Sequence, residues 1–328
     1  MEMLRDADID LTPLVGKRVA ILGYGNQGRA QALNLHDSGI DVVVGLRGGS
    51  GSSFEVEAAG LEAALIEDAV ADADVVMILA PDEIHDSLYA EIEPRLRHGT
   101  AVGFSHGLSV RFGFVRSRPD LDVFLIAPKG PGTALRSLYQ QGKGMIALWA
   151  VDQDASGNAA GIALAYGRAI GCGRAGLIHS SFAEEAEADL FNEQAVVWGA
   201  VPEILSAGFE TLVAGGISPE VAYLECIGEL KLIAELIEAR GIAGMREVIS
   251  NTAELGAFLG GKRIVDDAIR ARMSEILAEV RAGRFAGELK DEEKSGYARL
   301  EAARSKARLT QIEETFRRLQ SVADQSAG

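Results

Sequence analysis

Val19-Ala20-Ile21-Leu22-Gly23-Tyr24-Gly25-Asn26-Gln27-Gly28 is the stretch that decides the fold of this chain. Four consecutive apolar residues read as a buried strand, and they run directly into G-x-G-x-x-G. The glycine pattern alone is weak. Placed after a strand and opening a helix over Gln27–Ser38, it reads as a dinucleotide-binding turn. Gly23 permits the tight turn, Gly25 lets a pyrophosphate approach the backbone, and Gly28 allows close helix packing, with Tyr24, Asn26 and Gln27 completing the cofactor loop. The helix N-terminus supplies free N–H groups and a partial positive charge for phosphates.

Working outward, Lys17–Leu22 is followed by further apolar runs at Asp41–Leu46, Asp74–Leu79, Thr100–Phe104, Val123–Ala127 and Met145–Val151. Helical stretches separate them, so the expectation is an α/β, Rossmann-like parallel sheet wound on both faces. Ligands bind at the carboxyl ends of such strands. The second strand ends in Arg47 rather than the acidic residue that usually binds a ribose hydroxyl, and Ser50 and Ser52 follow on a glycine-rich loop. A cation with small hydroxyl donors suits a 2′-phosphate, which favours NADPH over NADH. Asp82, Glu83, Ile84 and His85 leave another strand on the same edge, and Gly132 joins them as a cofactor-side position.

Near residue 180 the texture changes. Strand signals fade, and helical periodicity takes over in Glu184–Ala214, Pro219–Arg240, Met245–Asn251, Ile264–Ala282 and Thr310–Asp324. Ser180 and Ser181 are plausible caps, Pro219 a helix start and Gly241 a stop. The expected division is a Rossmann NADP-binding domain over 1–181 and an all-helical domain over 182–328. The net charge of −16 opposes nucleic acid and anionic membrane surfaces as partners. Two cysteines, Cys172 and Cys226, are too few for a disulfide framework. No signal-like segment opens the chain and no apolar run approaches the ~20 residues of a membrane helix, so a soluble cytoplasmic protein is expected.

The helical half carries two acidic pairs at i, i+4 spacing, Asp189 with Glu193 and Glu225 with Glu229. Each pair points off one helix face. Singly, such a pair is usually a solvated face. Both are set among apolar residues, with Leu190, Phe191, Leu224 and Leu230 beside them. Four carboxylates brought together suit Mg²⁺.

These motifs in this order resemble the short-form ketol-acid reductoisomerases. The resemblance is carried by Gly23-Tyr24-Gly25 with Gln27-Gly28, Gly45-Leu46-Arg47, Pro81-Asp82-Glu83, Ser105-His106-Gly107, Ala127-Pro128-Lys129, Asp189-Leu190-Phe191 with Glu193, Glu225-Cys226 with Glu229, and Ile249-Ser250-Asn251. It runs from about Gly16 to Asn251. It implies that Asp189, Glu193, Glu225 and Glu229 hold two Mg²⁺ ions, that His106 and Lys129 are catalytic, and that Ser250 contacts the substrate. Glu229, a metal-bound hydroxide or His106 would be the proton shuttle. The resemblance further implies a knotted helical domain and a homodimer, or higher homo-oligomer, in which Glu225, Glu229 and Ser250 reach across to the partner's site. The implied substrate is a small 2-hydroxy-3-keto acid such as 2-acetolactate. An alkyl group migrates from C2 to C3, and hydride from NADPH reduces the resulting ketone.

The chain departs from that family's usual residues at Arg29, Thr133, Asn192, Gly228, Thr252 and Leu255, and in its charged tail. All four metal-ligand positions survive, while the residues near Ser250 leave the substrate's alkyl group open. A metal-independent NADPH reductase of 2-keto or 3-hydroxy acids, and a non-catalytic NADPH-binding paralogue, are the alternatives. A buried acidic quartet without metal would be costly, which argues against the latter.

Overall fold

Alternation within the apolar runs builds the first half. In the computed structural model, which describes residues 2–326, Val19 and Ile21 face one side of a sheet while Ala20 and Leu22 face the other. The same split recurs for Val42 and Val44 against Val43, and for Val75 and Met77 against Val76 and Ile78. Both faces are covered by helices, so each strand is apolar throughout rather than alternating.

The strands are β1 (Met3–Leu4), β2 (Arg18–Leu22), β3 (Asp41–Leu46), β4 (Glu62–Leu65), β5 (Val75–Ile78), β6 (Ala101–Phe104), β7 (Asp122–Pro128), β8 (Ala147–Gln153) and β9 (Leu177–His179). They form one sheet in the order β1-β9-β8-β7-β6-β5-β2-β3-β4. The six strands from β4 to β7 are mutually parallel and give the doubly wound order of dinucleotide-binding folds. The expectation of a purely parallel sheet needs correction at its far edge: β8 pairs antiparallel to β7, and β1 antiparallel to β9. β1, β4 and β9 are two to four residues long, too short for an apolar run to announce them. The helix expected at Gln27–Ser38 spans Asn26–Asp37. A Cβ at Gly28 would lie 2.1 Å from the Gly23 carbonyl oxygen, so the helix can begin this close to the strand only with glycine there.

The chain divides into compact units at Met1–Ala188 and Asp189–Gly328. The division falls inside the helix Phe182–Ala195. Its start is capped as expected, because Ser181 Oγ accepts from the Glu184 N–H at 3.0 Å.

The second unit is helical, but three details differ from the periodicity. The stretch 219–240 is not one α-helix: it comprises Pro219–Tyr223, a π-helical segment Leu224–Gly228, and a helix Leu230–Arg246 kinked at Gly241, where φ is 69°. The helix expected at Met245–Asn251 is instead a junction, in which Ser250 caps a new helix, Asn251–Ile264, by accepting from the Ala253 N–H. The helical run Phe182–Ala214 is long and apolar enough to cross a membrane by length and composition, although no such run was expected. A turn at 196–199 interrupts it. Glu184, Glu185, Glu187, Asp189 and Glu193 load its first turns with charge that a bilayer core penalises.

A buried polar chain ties the cofactor helix to the sheet edge. Gln31, fully buried, donates to Ser105 Oγ at 2.9 Å and to Gln27 Oε1 at 3.0 Å, and accepts from the Tyr166 hydroxyl at 2.8 Å. Gln27 in turn donates to the Gly130 carbonyl at 2.9 Å. Replacing Gln31 with Leu strands the buried Tyr166 hydroxyl and removes a partner from the half-buried Gln27 and Ser105, and is expected to cost about 1–3 kcal/mol, read as a fall in the urea midpoint. A variant as stable as the parent would refute the bracing role.

Candidate functional site

Three successive parallel strands deliver the polar residues of the first unit to one edge. Asp82 follows β5, His106 follows β6 and Lys129 follows β7. Adjacent parallel strands lie about 4.8 Å apart, so residues just past their carboxyl ends are neighbours by construction.

Asp82 lies between two histidines. Its Oδ2 is 3.2 Å from His106 Nδ1, and its Oδ1 is 3.7 Å from His85 Nδ1. Burial alone would raise the Asp82 carboxyl, but the hydrogen bond from His106 and its charge outweigh it and hold the group below its ordinary value. His85 is only 2% exposed, and its two ring nitrogens meet Ser109 Oγ at 2.7 Å and the Ala80 carbonyl at 2.9 Å. The carbonyl can only accept, so Nε2 carries the proton and Nδ1 accepts from Ser109. Burial lowers the pKa of His85, with Asp82 partly opposing it. His85 therefore braces the loop that carries Asp82 and uses both nitrogens within the fold.

Glu185 is a residue that sequence reading did not single out. It is 1% exposed; its Oε1 accepts from Lys129 Nζ at 2.7 Å and its Oε2 from the Gly107 N–H at 2.7 Å. A Cβ at Gly107 would lie 2.3 Å from the Phe182 carbonyl oxygen, so glycine is what lets the helix Phe182–Ala195 approach the His106 loop this closely. His106 and Glu185 offer ligand atoms within 4.8 Å of each other. The spacing Glu185, Asp189, Glu193 is the available signal: three acids at one-turn intervals on one helix.

The cofactor residues line two openings. A cleft of about 550 Å³ is lined by Tyr24, Gly25, Asn26, Arg29, Gly132 and Thr133, among others. It opens at the start of the helix Asn26–Asp37, whose first N–H groups receive no side-chain cap from Gly25. The Tyr24 hydroxyl is buried without a hydrogen-bond partner, so a polar atom waits at the cleft wall. Asn26 Oδ1 accepts from the Thr133 N–H at 3.0 Å and fixes Gly132 beside the turn. A second pocket of about 360 Å³ at the end of β3 is lined by Arg47, Ser50 and Ser53. Ser53 was not singled out, and Ser52 precedes it as the N-cap of the helix Ser53–Ala58. Asp82, Glu83 and Ile84 form a single turn after β5. Uncapped N–H groups, an orphaned hydroxyl and a cationic pocket fit a nicotinamide dinucleotide.

The acidic quartet is distributed unevenly. Asp189 and Glu193 continue the Glu185 face of their helix into the second unit. Glu225 falls within the π-helical segment and Glu229 caps its end. Both are exposed, and among the described residues of one chain neither joins Asp189 and Glu193 in a cluster of metal-ligating side chains. Ser250 likewise serves as a helix cap. Oxygen donors in this number suit Mg²⁺.

A dinucleotide-binding sheet with acid, base and cation side chains at its carboxyl edge defines a nicotinamide-dependent oxidoreductase. The chain matches the sequence profile of the acetohydroxy acid isomeroreductase NADPH-binding domain over residues 13–176 and that of the ketol-acid reductoisomerase C-terminal domain over 182–325, and it belongs to the ketol-acid reductoisomerase family. It is similar to an NADH-preferring ketol-acid reductoisomerase from an uncultured archean, at 42% identity and TM-score 0.94, covering 98% of this chain and 99% of the other. An oxidoreductase of Jannaschia sp. CCS1, at 22% identity and TM-score 0.61, covering 81% of this chain and 97% of the other, shares the fold.

Two outcomes test this geometry. Replacing Glu185 with Gln removes the charge that seats Lys129, and is expected to lower turnover about 10- to 100-fold with nucleotide affinity retained. Burial lowers the pKa of His85 in the folded protein, whereas the unfolded chain takes up a proton below about 6.5. Stability from this group is thus complete above that pH and is lost as pH falls toward the lower folded value, with a slope of at most about 1.4 kcal/mol per pH unit. Urea midpoints at pH 7.5 and 5.5 should differ less in a His85→Gln variant than in the parent; equal differences would remove His85 from the account.

Proposed function

We propose that this enzyme catalyses the magnesium-dependent alkyl migration and NADPH-dependent reduction of a 2-hydroxy-2-alkyl-3-keto acid such as 2-acetolactate, the step that yields a 2,3-dihydroxy-3-methyl acid for branched-chain amino-acid synthesis. The observation that carries the reading is the convergence of Asp82, His106, Lys129 and Glu185 beside a helix that continues into Asp189 and Glu193. Asp189 and Glu193 with Glu225 and Glu229 would hold two Mg²⁺ ions, and Ser250 would meet the substrate.

The second pair of carboxylates is assigned to another copy of the chain in a homodimer. This accords with the wide apolar exposure of the second unit, where Trp198, Leu255 and Leu259 are 68%, 62% and 66% exposed. NADPH is preferred on the strength of Arg47 with Ser50 and Ser53 around one pocket, which offers a guanidinium and two hydroxyls to a 2′-phosphate. The similar archean structure is described as NADH-preferring, so the preference belongs to this chain's own loop.

When bound, the divalent ions supply Lewis acidity and the nicotinamide supplies hydride. The chain's own residues do the positioning. Asp82 accepts from His106 Nδ1 and orients the ring. The ring is then able to take up and return a proton at its other nitrogen. Lys129 keeps a positive charge at the edge of the sheet because Glu185 anchors its Nζ, and the Gly107 N–H anchors Glu185.

NADPH oxidation should require 2-acetolactate and Mg²⁺ together, and Glu225→Gln should lower it about 100-fold or more. Turnover of 2-ketopantoate or 3-hydroxypyruvate without magnesium, with none on 2-acetolactate, would replace the proposal with a simple keto-acid reductase.

A further inference from the structure

Glu225 and Glu229 make no hydrogen bond or ion pair among the described residues, so only the backbone fixes where their carboxylates stand. That backbone is unusual. Glu225 sits in the π-helical segment Leu224–Gly228, a conformation rare in proteins and frequent at functional sites. Something must hold it, because an α-helix would otherwise run through.

Two elements of the same unit grip it. On one side, Gly208 of the helix Ala200–Ala214 faces Cys226, where a Cβ would come 3.3 Å from Cys226 Sγ. On the other lies the C-terminal helix Gln311–Ser326. Its Phe316 stacks on Tyr223, the residue that opens the π segment, with ring centroids 6.2 Å apart and planes 29° from parallel. Its Arg318 pairs with Glu220 at 2.9 Å, and Thr315 is fully buried one position before Phe316. Ala222, between Glu220 and Tyr223, is also fully buried.

We infer that the C-terminal helix is a positioning element for the second carboxylate pair: Phe316 and Arg318 clamp Pro219–Tyr223 and thereby set the π segment that aims Glu225 and Glu229. The inference rests on the reading of those two residues as Mg²⁺ ligands. Mg²⁺ accepts little deviation from octahedral geometry at about 2.0–2.1 Å, so loosening the segment would cost metal affinity before anything else. The exposed Arg318–Glu220 pair contributes less than the aromatic stack, since solvent screens it.

The test compares Phe316→Ala, Phe316→Leu, Glu220→Gln and Glu225→Gln with the parent, using the full chain. Two readouts apply: the Mg²⁺ concentration giving half the metal-induced thermal shift without substrate, and that giving half-maximal turnover. For Phe316→Ala both should rise about tenfold, with NADPH affinity and kcat at saturating Mg²⁺ within about twofold of the parent. Phe316→Leu should recover part of the loss, and Glu220→Gln should shift both by about two- to threefold without endangering the fold. Unchanged Mg²⁺ half-saturation in Phe316→Ala and Glu220→Gln, alongside its collapse in Glu225→Gln, would overturn the clamp while leaving the metal assignment standing. Unchanged Mg²⁺ dependence in Glu225→Gln would overturn both.

Discussion

The site in the first unit depends on one buried carboxylate being fully satisfied. Glu185 is removed from water, and an ionised group in that position is tolerated only when paired and hydrogen-bonded. Lys129 takes one oxygen and the Gly107 N–H the other. The same contact therefore fixes three things at once: the height of the helix Phe182–Ala195 over the sheet edge, the direction of Lys129, and the backbone beside His106. Each oxygen retains a second lone pair, so neutralising Glu185 within the protein does not exhaust its capacity to face a further cation.

Around that contact, the neighbouring loops are held by groups that do no chemistry. His85 is buried neutral and anchors the turn bearing Asp82, while Asp82 is kept ionised to orient His106. Gln31 and Gln27 run a hydrogen-bonded line from Tyr166 to Gly130, joining the cofactor helix to the strand ends on which Ser105 and Lys129 lie. Polar groups held on rigid strand ends and supported by a second tier of bonds are what hydride transfer needs, because small displacements cost large factors in rate.

The second unit follows a different physical logic. Few of its apolar side chains are buried within one chain; Phe209, Ala222, Val280 and Ala286 are among those that are, while many larger ones lie open. The segment that carries Glu225 is a π turn, flanked by the Gly208 contact and the Phe316 stack. Its carboxylates at Glu225 and Glu229 are placed by the backbone, beside exposed apolar side chains such as Leu224 and Leu230.

The sequence by itself determined the α/β class, the cofactor turn, β2, β3, β5, β6 and β7, and the identity of the acidic residues. Those signals are local: apolar runs, glycines and i, i+4 spacing are written in neighbouring positions. It did not reveal the antiparallel edge, because β8 reads the same in either direction. It did not single out Glu185, since three acids at one-turn intervals on an acidic helix do not say which is buried until Gly107 and Lys129 are seen against it. Nor did helical periodicity distinguish an α-helix from the π segment at Leu224–Gly228, for an acid pair at that spacing remains on one side in both. Those decisions were left to tertiary contacts between residues distant in the chain, as with Glu185, whose partners Lys129 and Gly107 lie 56 and 78 positions away, where burial and hydrogen-bond satisfaction select one partner among many.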